Sequence, residues 1–150
     1  MITLWNQLIN NHILISALAA WSLAQFLKLP IEYLITHRWN WSLLFSTGGM
    51  PSSHAALISS VTLSTGLFSG FDTPAFSVSF AVAMIVIYDA AGIRRQAGLH
   101  AEKINKMINR LLSGDPISEE NLKEMIGHSP PQVITGIIFG VIISIIFWLI

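Results

Sequence analysis

The chain of 150 residues contains no cysteine, which excludes disulfide bonds, thiolate catalysis and most structural zinc sites. Charge is also scarce, because Asp, Glu, Lys and Arg together make up 11% of the sequence and their formal charges sum to zero. A typical soluble domain carries about 25% charged residues. This composition lies outside the soluble globular norm, and we expect no nucleic-acid partner.

Long apolar runs take the place of charge, and 53% of the residues are hydrophobic. Residues 13–27, 75–91 and 133–150 each approach the ~20 residues that cross the hydrocarbon core of a membrane. A fourth run, 55–70, is diluted by serine and threonine, which is typical of an inner helix packed through small residues. We predict an all-α integral membrane bundle of about four spans, forming one domain over residues 1–150.

The basic residues are distributed unevenly with respect to these spans. If the four runs cross the membrane, residues 28–54 and 92–132 lie on one face, and that face receives every lysine and arginine of the chain. By the positive-inside rule this face is cytoplasmic, which suggests a plasma (inner) membrane protein. Residues 97–112 on this face alternate apolar and basic positions, so we predict an amphipathic helix at the interface, followed by a short helix capped by Ser118.

Polar residues cluster where the spans end on the basic face. Lys28 follows the first span, and His128 stands just before the fourth. The remaining members of this set are Ser52, Ser53 and His54 at the start of the second span, and Asp89 and Arg94 at the end of the third. Polar groups near hydrocarbon are costly and usually serve a function. The topology therefore predicts that these groups meet at one membrane depth.

This set of side chains suits phosphoryl transfer. A helix beginning at Ser52–His54 offers backbone N–H groups and the positive end of its dipole to a phosphate, while Lys28 and Arg94 can neutralise its oxygens. One histidine can attack phosphorus while the other protonates the leaving oxygen. Such a reaction needs no metal or other cofactor, and a metal site is disfavoured because no histidine pair has an i, i+4 spacing.

Three segments, GGMPSSHAA at 48–56, YDAAGIRRQAG at 88–98 and GHSPPQVITG at 127–136, resemble the divergent branch of the type 2 phosphatidic acid phosphatase superfamily. The resemblance covers nearly the whole chain. It implies that His54 is the general acid, that His128 is the nucleophile that forms a phosphohistidine, and that Lys28 binds phosphate. The implied activity is hydrolysis of a lipid phosphate or another phosphomonoester.

Two positions differ from the superfamily pattern. Gln132 stands where a carboxylate orients the nucleophilic histidine, and an amide can accept a hydrogen bond from imidazole but cannot balance its positive charge. Leu122 stands where the pattern has an arginine, so we assign the missing cation to Arg94 or Arg95. Gln132 supports an alternative function, in which the protein binds, senses or transports a phosphorylated lipid without catalysis. A structural subunit of a larger membrane complex is a third alternative, and the oligomeric state is open.

Each candidate residue also has a purely structural interpretation. His54 and His128 could be satisfied at helix starts, Lys28 could be a membrane anchor whose ammonium reaches water, and Asp89 with Arg94 could form a structural ion pair. The position of these residues in space decides between the interpretations.

Overall fold

A computed structural model describes residues 3–46, 48–91, 100, 101, 103–105, 108 and 130–150. The described part of the chain is helical and has no strand. Its elements are α1 (Leu4–Ile9), α2 (His12–Thr36), a 3-10 helix η1 (Trp41–Leu44), α3 (Ser53–Ser69), α4 (Pro74–Ala91) and α5 (Pro130–Leu149). This confirms the predicted helical membrane bundle.

Helix α2 extends further than the sequence indicates. The apolar run ends at Leu27, but the helix continues through Pro30 to Thr36 and is closed by His37 in the left-handed conformation, with φ of 54°. Pro30 lacks the N–H that would bond the carbonyl four residues earlier, yet the helix continues through it. Lys28 therefore lies inside α2 rather than at its end. The apolar runs also do not predict the short helix α1.

Helix α3 is the centre of the bundle and packs against α2, α4 and α5. Hydroxyl groups join it to all three of these neighbours. The Thr62 hydroxyl donates to the Ser79 carbonyl of α4 at 3.2 Å. The Ser16 and Ser64 hydroxyls are 2.7 Å apart between the antiparallel helices α2 and α3. Ser144 of α5 donates to the Ser60 carbonyl at 3.1 Å and lies 3.0 Å from the Ser60 hydroxyl. Ser59, Ser60 and Ser64 of the diluted apolar run are thus buried in the protein interior, as the sequence predicts, while Ser69 at the end of α3 is exposed.

Two glycines let α5 run parallel to α3 at close range. A Cβ built on Gly136 would collide with the Ser52 carbonyl oxygen, and one built on Gly140 would collide with the Ala56 carbonyl oxygen. The contacts recur four residues apart on both helices, which is the geometry of small residues at membrane helix interfaces. This register places the first turn of α5 beside the first turn of α3.

The distribution of residue types is that of a protein surrounded by lipid. The buried positions of α3 are all Ser, Ala, Thr or Gly. Many outward side chains of α4 and α5 are large and apolar, for example Phe80, Ile85 and Ile138 with 53%, 69% and 53% exposure. Helices α2 and α5 are long and apolar enough to span a membrane, and α4 is a shorter apolar helix.

The predicted interfacial segment is described only in part. Residues 100, 101, 103–105 and 108 are helical, and Asn105 is buried. The rest of 97–112, and the short helix predicted after Ser118, lie outside the described residues.

Candidate functional site

The start of α3 is the structural centre of the candidate site. Ser52 caps the helix, its hydroxyl accepting from the Ala55 N–H at 3.4 Å, and its carbonyl accepts from Ala56 at 3.0 Å. The Ser52 N–H in turn donates to the Gln132 carbonyl in the first turn of α5 at 3.0 Å. Ser52 and Ser53 are fully buried. Because the first amides of an α-helix lack acceptors within the helix, this end provides donors and positive dipole charge.

Lys28 is buried beneath the loop that leads into α3. Its side chain is only 1% exposed, and its ammonium donates to the Ser46 carbonyl at 3.2 Å. A membrane anchor keeps its ammonium in water, which this burial does not allow. A buried ammonium is costly unless it is paired, and a neutral carbonyl supplies no opposite charge. A bound anion would stabilise the buried ammonium of Lys28.

Gln25 also belongs to this region, although it is part of no motif. Its amide nitrogen donates to the carbonyls of Leu43 at 3.1 Å, Leu44 at 2.7 Å and Ser46 at 3.4 Å. Gln25 and Lys28 are three residues apart and so share one face of α2. In the sequence, the only indication of this role is that two long polar side chains lie three residues apart near the end of an apolar run. Together they attach the loop to α2.

The backbone of Gly49 lies against the side chain of Lys28. It has a φ of 85°, and a Cβ on it would lie 3.4 Å from Cδ of the lysine. The positive φ strains any residue with a side chain. Glycine here allows the backbone to lie against the lysine stem just before the cap of α3.

The C-terminal end of α4 and the N-terminal end of α5 contact the start of α3 through a small apolar cluster. Ala90, Ala55 and Val133 are buried against one another. Asp89, the neighbour of Ala90, is partly buried, as are His54 and Gln132. All three of these polar residues have interactions within the structure. The end of α4 at Ala90 and the start of α5 at Val133 therefore meet the start of α3. Lys28 approaches the same region from within α2, beneath the loop at Gly49.

Two of the predicted site residues, Arg94 and His128, lie outside the described residues. Pro130 and Gln132 follow His128 closely and belong to the first turn of α5, which is bonded to Ser52. Among the described residues, no group of three His, Asp or Glu side chains could hold a metal ion.

The fold and the site define a helical membrane protein in which a lysine is buried beneath the loop that leads into a capped helix start. The chain belongs to the divergent PAP2 family, whose model matches residues 9–143. It is 36% identical over 151 residues to the uncharacterized membrane protein YuiD of Bacillus subtilis (strain 168), with 93% of this chain and 96% of the relative covered. No solved structure matches the chain. The resemblance drawn from the three motifs is thereby confirmed.

Proposed function

We propose that this protein is a membrane phosphatase that removes phosphate from a lipid phosphomonoester, without a metal or other cofactor. The observation that carries the proposal is Lys28, a cation buried beneath Gly49 and next to the loop that leads into the α3 start. A buried positive charge and the N–H donors of a helix start are the groups that bind phosphate in proteins, which supports the proposal. The basic connecting segments support a site on the cytoplasmic face of the plasma membrane.

In the proposed mechanism, Lys28, Arg94 and the amides of Ser53 and His54 hold the phosphate oxygens. His128 attacks phosphorus, the bond from phosphorus to the lipid oxygen breaks, and His54 gives its proton to that oxygen. Water then attacks the phosphohistidine, His54 takes a proton from it, and inorganic phosphate leaves while His128 is restored. We assign Asp89 to positioning Arg94, and Gln132 to accepting a hydrogen bond from the His128 imidazole.

The H128A variant tests catalysis directly. We expect the purified protein to release phosphate from at least one member of a panel of phosphatidate, prenyl phosphate and small phosphomonoesters. The variant should lose this rate by a factor of about 10³ or more, because it lacks the nucleophile. Phosphate release in detergent or in lipid vesicles is the measurement.

H100A is the matched control, because His100 is exposed and belongs to none of the three motifs. It should retain the native rate. Phosphate release that survives in H128A, or an inert native protein across the whole panel, would contradict the proposal.

The second candidate function is binding or transport of a phosphorylated lipid without turnover, and Gln132 favours it. Its backbone carbonyl is engaged by Ser52, so α5 begins in the same place whichever side chain stands at 132. The Q132E variant places a carboxylate where the superfamily has one and leaves that backbone contact intact. If the native protein binds but does not hydrolyse, we expect Q132E to gain phosphate release by at least about 10²-fold, since a carboxylate stabilises imidazolium.

The control for this gain is H128A combined with Q132E, which should remain inactive. A native protein that is already active, and that Q132E accelerates little, would exclude the binding function and favour the phosphatase.

A further inference from the structure

An aromatic stack lies beside the candidate site. Tyr33 of α2 stacks on Trp39 with ring centroids 4.7 Å apart, and Trp39 stacks on Trp41 at 5.9 Å. Phe45 follows four residues later and is 93% exposed. We call these four residues, Tyr33, Trp39, Trp41 and Phe45, the aromatic shelf. Its two tryptophans are 55% and 65% exposed, so the shelf presents ring faces and edges to the surroundings.

Hydrogen bonds fix the depth of the shelf relative to the site. Tyr33 lies about 7.5 Å beyond Lys28 along α2, at 1.5 Å per residue. The chain then turns back, because Gln25 bonds the carbonyls of Leu43 and Leu44 at the end of η1. Gln25 lies about 4.5 Å to the other side of Lys28. The shelf therefore covers the depth interval that contains Lys28.

One end of the shelf borders polar surroundings. Trp39 also lines a cavity of about 560 Å³ together with polar side chains, namely Glu32, Thr36, Arg38 and Asn40. An aromatic ring with an apolar side and a polar side is typical of the boundary between hydrocarbon and water, where tryptophan and tyrosine concentrate. The adjacent Arg38 can contact anionic lipid phosphates at that level.

We propose that the aromatic shelf lies in the headgroup layer of the bilayer and holds Lys28 and the start of α3 at that depth. The partner of this surface is the lipid headgroup layer itself. Resting on the proposed phosphatase function, the inference is that the site acts on phosphate groups presented by lipids within the membrane in preference to dissolved phosphomonoesters. Bilayer contact by the shelf aligns the site with such groups.

Depth is measured by tryptophan fluorescence in phosphatidylcholine vesicles that contain brominated lipids. In a variant carrying W5F, W21F and W148F, the remaining tryptophans are Trp39 and Trp41. We expect strongest quenching by lipids brominated near the carbonyl end of the acyl chain. The complementary W39F and W41F variant gives the same depth by difference from the native protein, in case the triple variant does not fold. Strongest quenching by bromine near the chain ends, or none from any brominated lipid, would overturn the proposal.

Substrate selection is measured with W39A combined with W41A. We expect the KM for a lipid phosphate in vesicles to rise about tenfold, because the site loses its hold on the headgroup layer. Turnover of a small dissolved phosphomonoester should stay unchanged. W148A is the matched control, since Trp148 is 51% exposed and lies near the opposite end of α5. It should leave both activities unchanged.

The two measurements separate the two proposals. A protein that is inert on both substrates, yet shows the headgroup depth, refutes the phosphatase while the position of the shelf stands. Equal losses on the lipid and on the dissolved substrate in W39A with W41A would show a general structural defect, and would overturn the role of the shelf in substrate selection.

Discussion

The G140A variant is expected to lower the stability of the bundle, although alanine is the better helix former. Replacing an interior glycine by alanine favours a helix by about 1 kcal/mol. At Gly140, however, the added Cβ would meet the backbone carbonyl of Ala56, and its distance to that carbonyl carbon would be 3.0 Å. Backbone cannot rotate away as a side chain can, so α3 and α5 must separate.

The separation affects contacts beyond the glycine itself. Ser144 lies one turn further along α5 and bonds Ser60 of α3 at 3.0 to 3.1 Å. Overpacking costs about 1 to 3 kcal/mol, and weakening these buried hydrogen bonds adds to it. After the gain in helix propensity is subtracted, we expect a net loss of about 2 kcal/mol in the free energy of unfolding. Thermal unfolding in a mild detergent is the measurement.

G48A is the matched control for this prediction. It adds the same methyl group at a glycine that has no neighbouring atom within 4 Å of the Cβ position. The midpoint of thermal unfolding should stay close to that of the native protein. A G140A variant more stable than G48A would show that the close approach of α3 and α5 does not limit packing.

The K28M variant is expected to separate function from stability. Methionine keeps a flexible unbranched stem under Gly49 but removes a buried ammonium, and replacing buried charge by apolar groups is often neutral or stabilising. If Lys28 holds phosphate, phosphate release or phosphate-ester binding should fall by about 10²- to 10³-fold, as for loss of one group that stabilises a transition-state oxyanion. Thermal stability should be equal to or higher than that of the native protein.

K103M is the control, because Lys103 is an exposed lysine outside the site. It should change neither quantity. A K28M protein that unfolds readily, yet retains full activity in its folded fraction, would assign Lys28 to holding the Ser46 carbonyl and the loop, and would remove it from the phosphate site. A parallel loss of binding and stability would point to the same structural role.

Much of the helical architecture could be predicted because hydrophobicity and capping are local properties. The apolar runs located α4 and α5 to within a few residues, and the serines of residues 55–70 indicated an inner helix. The cap at Ser52 was visible because serine before a helical pattern accepts hydrogen bonds from the first turn. Helix α2 shows the limit of such patterns, since Pro30 and the end of the apolar run both suggest a stop that the helix does not make.

In the candidate site, too, some features could be predicted from the sequence and others could not. Lys28, the segment from Ser52 to His54, and Asp89 could be selected because ionisable and polar residues are conspicuous at the ends of apolar spans, and Gln132 could be selected by comparison with the family motif. Their relative positions could not be predicted. The proximity of Lys28 to the loop before α3 depends on how far α2 continues and on the contacts of Gln25. Gln25 itself carries no motif and becomes visible only through its three carbonyl partners.

The sequence alone therefore determined the class of this protein: a helical membrane bundle of the divergent PAP2 family, with a capped helix start suited to an anion. Composition and short motifs are sufficient to assign this class, because they can be read from the chain without knowing which distant segments contact one another. Only the tertiary structure decided that Lys28 is buried beneath Gly49 and that Tyr33, Trp39 and Trp41 stack on one another. Those facts follow from hydrogen bonds and packing between α2 and the segment that follows it, which no local pattern specifies.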